Sequence, residues 1–143
     1  MLNDERRYPA ITALSVLLIV TVVGMTYYWV DFYIRGGVHV IEEDWYLKFE
    51  RAFTPADLWT SACALIGAIG LLTEHPYGLV FALLAAGSLL FLALMDITFN
   101  IQNNLYPLIA TSSQMKFELL INLWTLGLGA ALIVYLAPRI EFL

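Results

Sequence analysis

The chain has 143 residues, 61% of them hydrophobic and only 13% charged, with a net charge of −5. An average soluble domain is about 45–50% apolar and about 25% charged, so a water-soluble core of this size could not bury the apolar surface present, and the excess has to face lipid. The acidic balance, 7 Lys and Arg against 12 Asp and Glu, excludes nucleic acid as a partner and a polybasic grip on anionic lipid.

A spanning helix needs about 20 mostly apolar residues, and four segments qualify: 9–32, 55–72, 77–100 and 112–136. Their connections are too short for a separate soluble domain, so residues 1–143 read as one transmembrane domain. The first segment follows Arg6 and Arg7 as a signal peptide would. It is too long for one, and Met25-Thr26-Tyr27-Tyr28-Trp29 offers an aromatic belt rather than a small-residue cleavage site. It is read as a retained span, with Asp31 solvated at its end.

Residues 41–53 are too few to span. Ile41, Trp45, Phe49 and Phe53 recur every fourth position, while Glu43, Asp44, Lys48, Glu50 and Arg51 fall mainly elsewhere on the wheel. That pattern predicts a short amphipathic helix lying on the membrane surface, with Glu50 solvated. Thr54-Pro55-Ala56-Asp57 then supplies a capping Thr, a proline at the first helical position and an acid at N3, a start for the second span. His75-Pro76-Tyr77-Gly78 turns into the third span, Thr111 with Gln114 caps the fourth, and Pro138 closes it. Gly67, Gly70, Ala82, Ala86 and Gly129 are small enough for close helix approach. The expected fold is an all-α membrane protein, an antiparallel bundle of four transmembrane helices with the interfacial helix between the first two.

An even number of spans puts both termini on one side with Arg6, Arg7 and Arg139, opposite Arg35, Lys48, Arg51 and Lys116. Crediting Lys48 and Arg51 to the interfacial helix places the termini in the cytoplasm, and in a prokaryote the membrane is the plasma membrane. The lone cysteine, Cys63, excludes an intramolecular disulfide, dithiol redox chemistry and a multi-cysteine metal centre. No metal and no cofactor are expected.

Antiparallel spans bring the end of the first, the start of the second, the end of the third and the start of the fourth to one side, where the polar residues concentrate. Asp96, Asn100 and Asn103 share a helix face at i, i+4 and i+7; Glu118, Asn122 and Thr125 repeat that spacing, and Asp57, Thr60 and Ser61 form a third stripe. Stripes of carboxylates and amides are costly against lipid, so they are expected to face one another. Asp96 is the most telling, since it lies near a helix C-terminus, where the dipole disfavours an anion, after the wholly apolar run 89–95. With no basic side chain inside the bundle, Asp96 and Glu118 are expected as a split pair, one protonated and one ionised, the arrangement acid–base catalysis uses. Candidate catalytic residues are Asp96, Glu118 and Asp57; candidate ligand contacts are Asn100, Asn103, Asn122, Trp59, Tyr28, Tyr106 and Trp124. Electron-rich rings beside an acid suit a cationic or polyene-like ligand.

The string Phe53-Thr54-Pro55-Ala56-Asp57-Leu58-Trp59, followed by Asp96-Ile97-Thr98-Phe99-Asn100 and Asn103-Asn104-Leu105-Tyr106, resembles small four-helix integral membrane proteins of bacteria and archaea. More distantly, the architecture is similar to the sterol isomerase-like group of lipid-handling bundles. That similarity implies a bundle pocket of acids and aromatics; the histidine of that group has no counterpart in a span, His39 and His75 lying in loops. Small multidrug transporters also have four helices, but theirs carry an acid in the middle of the first, which this chain lacks.

The leading expectation is a carboxylate- and aromatic-lined pocket in one membrane half that takes a membrane lipid or other hydrophobic small molecule, with Asp96 and Glu118 as acid and base in an isomerisation or cyclisation. Two alternatives stay open: a non-catalytic subunit or assembly partner of a larger membrane complex, and a homo-oligomeric proton or ion transporter.

Overall fold

The computed structural model describes residues 4–142 and is all-helical. The side chains of Arg6 and Arg7, counted above toward orientation, lie outside the described ones. Four helices, α1 (Asp4–Ile34), α2 (Asp44–Leu72), α3 (Pro76–Gln102) and α4 (Ser113–Leu136), are joined by short connections, with 3₁₀ turns over Tyr106–Ala110 and Ala137–Phe142. All four are long and apolar enough to cross a membrane. The chain is thus built as a multi-pass membrane protein.

The start of α2 differs from the expectation. Residues 44–53 are not a separate surface helix but the opening turns of α2, which runs unbroken through Pro55. An interior proline withholds one backbone donor and crowds the carbonyl four residues back, here Arg51, at a cost of ~3 kcal/mol. Burial on both sides of it offsets that cost, because Tyr46, Glu50, Thr60, Ala64 and Gly67 all lie on the buried face of the one helix. The Thr54-Pro55 signal is therefore a mid-helix proline site. A second difference is smaller: α4 is capped by Ser112, whose Oγ accepts from Met115 N at 3.1 Å, because Thr111 is still closing the preceding 3₁₀ turn through its N–H to Leu108 O.

Small residues let α2 and α3 meet backbone to backbone. A Cβ on Gly67 would stand 2.7 Å from Ala82 N, and one on Gly70 would strike the Gly78 backbone. Thr60 and Ser88 share a hydroxyl hydrogen bond farther along the same seam. Gly129 of α4 seats against α3, where a Cβ would lie 2.9 Å from Leu90 Cγ and 3.0 Å from Ala86 O. Around these contacts Leu14, Leu18, Ala64, Ala68, Ala82, Ala86, Leu128 and Leu132 form an apolar core in one half of the molecule. The order of packing is α1 on α2, α2 on α3 and α3 on α4, while α1 and α4 meet only sparsely.

Gly67→Val should destabilise the protein by about 1–3 kcal/mol, because the obstacle is backbone and cannot swing aside. Gly87→Ala, whose Cβ meets nothing within 4 Å, should instead gain about 0.5–1 kcal/mol from helix propensity. Unfolding in mixed micelles followed by circular dichroism separates the two.

Candidate functional site

The sparse α1–α4 seam leaves a cavity of about 360 Å³ bounded by all four helices. Val20 and Gly24 of α1 and Phe117, Leu120 and Trp124 of α4 line it and are themselves exposed, so it opens sideways between these two helices. Its wall is mainly apolar, and its polar residues gather on the side formed by α2, α3 and α4.

Three carboxylates converge there. Glu50 of α2, Asp96 of α3 and Glu118 of α4 each place an oxygen within 4.8 Å of the other two. Glu50 and Glu118 are 5% and 4% exposed, and Asp96 is half-buried. Tyr28 Oη donates to Glu50 Oε2 at 2.9 Å, whereas Glu50 Oε1 is buried without a partner. The adjacent residue on α1, Trp29, donates through Nε1 to Asp57 Oδ2 at 2.8 Å, which fixes the fourth carboxylate of the cavity. Tyr33 and Thr54 join the hydroxyls of α1 and α2 at 2.9 Å. Three hydrogen bonds thus hold the aromatic end of α1 to α2.

The opposite seam has far less. Trp124 Nε1 donates to Thr21 Oγ1 at 2.9 Å, bridging α4 to α1 across the open side of the cavity. Asn122 lines the cavity and donates to Tyr106 Oη at 2.9 Å. Burial lifts the Tyr106 hydroxyl above the usual tyrosine range, so it keeps its proton. Asn100 is 1% exposed and faces Glu118 from the next turn beyond Asp96.

Of the residues singled out from the sequence, the structure brings Asp57, Asp96, Glu118, Asn122, Tyr28 and Trp124 to the cavity wall, with Asn100 and Tyr106 just behind. It does not bring Asn103 or Trp59. Asn103 is exposed at the end of α3, its Nδ2 donating to Phe99 O at 2.9 Å. Trp59 is 56% exposed, its position lying off the Asp57–Thr60 face of α2. Two residues read as solvated are buried instead, Glu50 in the carboxylate cluster and Asp31 at 6% exposure beside the Gly37 backbone. Tyr46, 1% exposed and facing Glu50, Glu118 and Asp96, was also missed. The signal was present: Tyr46, Glu50, Asp57 and Thr60 follow one helical face once α2 is continued through Pro55.

No family model, curated protein or solved structure matches the chain.

Removing the Tyr28 hydroxyl leaves Glu50 buried with neither oxygen bonded, so Tyr28→Phe should cost about 1–3 kcal/mol. In a double-mutant cycle with Glu50→Gln, the two losses should fall short of additive, as expected of groups in direct contact. Strict additivity in chemical unfolding would show that the bond carries no coupling.

Proposed function

We propose that this protein is a membrane-embedded binder of a hydrophobic or amphipathic small molecule, a membrane lipid included, which lies in the α1–α4 cavity with its polar end on the carboxylates. The observation that carries the reading is the convergence of Glu50, Asp96 and Glu118 on a largely apolar cavity that opens sideways. A tightly packed scaffold has no use for either feature, since buried acids are costly in a bilayer and open volume forfeits packing. The four helices cross as an antiparallel bundle with both ends cytoplasmic. At 29 residues α2 exceeds the hydrocarbon thickness by roughly 13 Å, and its first turns, with Trp45, Lys48 and Arg51, sit in the interfacial layer.

The chemistry offered to such a ligand is proton exchange. An isomerisation or cyclisation of an alkene adds a proton to one carbon and withdraws one from another, with no net change. Asp96 and Glu118 stand close enough together to give and take those protons at one end of the cavity. Asp57, fixed by Trp29, faces the same volume from α2.

Mass spectrometry of protein extracted gently from membranes should find a hydrophobic species bound to the wild type. Gly24→Phe should displace it without unfolding the protein, because Gly24 lines the cavity and its Cβ would meet nothing within 4 Å. Asp96→Asn should stay folded and slow any conversion of that species by at least about 100-fold. A folded Gly24→Phe variant carrying the same bound species as the wild type would rule the cavity out as the binding site.

A further inference from the structure

We infer that Glu50, Asp96 and Glu118 form a binding site for a hard divalent cation, of the class of Mg²⁺, Ca²⁺ and Mn²⁺. The first argument is geometric. Three oxygens within 4.8 Å of one another fit around a single ion, since two Ca–O bonds of about 2.3–2.6 Å placed end to end span about 5 Å. Each oxygen comes from a different helix, α2, α3 or α4, so the ion would tie three elements together.

A second observation points the same way independently of the acids' proximity. Buried polar groups are nearly always partnered, yet the described residues concentrate orphans around this cluster. Glu50, 5% exposed, leaves Oε1 unbonded. The Tyr46 hydroxyl, on a residue 1% exposed, has no partner although it faces Glu50, Glu118 and Asp96. Asn100, also 1% exposed and facing Glu118, has an unbonded Nδ2, and its amide can present either end. A cation takes the free carboxylate oxygen, and its bound water takes the hydroxyl and the amide.

Charge and donor chemistry agree. Among the described residues the salt bridges are His39–Glu42 and Lys48–Asp44, neither of which involves the cluster, and the cavity lining contains no Lys, Arg or His. Every donor at the cluster is oxygen or amide, with no imidazole or thiolate, a set that selects Mg²⁺, Ca²⁺ or Mn²⁺ over zinc and copper. The cation sits at the polar end of the cavity whether or not an organic molecule fills the rest, and there it is a rival to the transferable proton of Asp96 and Glu118.

The test is a Mn²⁺ titration of chelator-treated full-length protein in detergent, with free Mn²⁺ read by electron paramagnetic resonance. The wild type should take up one Mn²⁺ per chain, displaced by excess Ca²⁺. Glu50→Gln should weaken uptake by at least about tenfold, while Glu74→Gln, in the exposed α2–α3 turn, should leave it unchanged. Where Glu50→Gln fails to fold, Asp96→Asn and Glu118→Gln take its place. Absence of saturable uptake by the wild type overturns the inference, as does equal uptake by folded variants of the cluster. Mass spectrometry on the same samples separates this site from the cavity reading: a bound hydrophobic species without Mn²⁺ uptake sinks only the cation site, and uptake without such a species sinks only the ligand.

Discussion

Burying a carboxylate in a bilayer is expensive, and this protein buries a cluster of them, Glu50, Asp96 and Glu118, within 4.8 Å of one another and with no basic side chain in the cavity lining. Ionised together in a low-dielectric setting they would repel strongly, so their close approach calls for neutralisation as well as for contacts that fix the position of each backbone. Glu50 is held by a phenol from α1, and Asp96 and Glu118 are held by the α3–α4 contact at Gly129 and Ala86. The apolar half, with Leu18, Ala64, Ala82, Ala86 and Leu132 fully buried, is the rigid base on which the acids are carried.

That division of labour explains the asymmetry of the two long seams. Between α1 and α2 the contacts are polar and specific, through Tyr28, Trp29 and Tyr33, and they secure two carboxylates as well as two helices. Between α1 and α4 a single indole-to-hydroxyl bond spans the opening. Interhelical hydrogen bonds inside a membrane average only ~0.6 kcal/mol, so the second seam is much the easier to part.

Hydropathy alone located four spans, and helical spacing alone gathered Asp57, Asp96, Glu118 and Asn122, because both depend on local periodicity that the sequence displays directly. Glu50 and Tyr46 were lost through one local misreading. Thr54-Pro55-Ala56-Asp57 carries every mark of a helix start, and a proline at the first helical position looks the same in sequence as one tolerated inside a helix. Which of the two holds is decided by tertiary burial of the residues before it, here Tyr46 and Glu50. Asn103 and Trp59 failed for the complementary reason. Each stands beside a stripe that faces the cavity, but Asn103 is past the end of α3 and Trp59 is rotated away from the Asp57 stripe. The cavity was not legible at all, since it arises where α1 and α4 pack only sparsely.

The side opening of that cavity also sets the scale on which any occupant must be measured. A molecule entering between α1 and α4 arrives from the acyl chains, past Val20, Leu120 and Trp124, rather than from water. Its occupancy would then follow its mole fraction in the bilayer, and two compounds of equal intrinsic affinity would differ in apparent potency by their partition coefficients. Adding lipid at a fixed total amount of compound would empty the site, whereas diluting protein, lipid and compound together with buffer would leave it nearly as full as before.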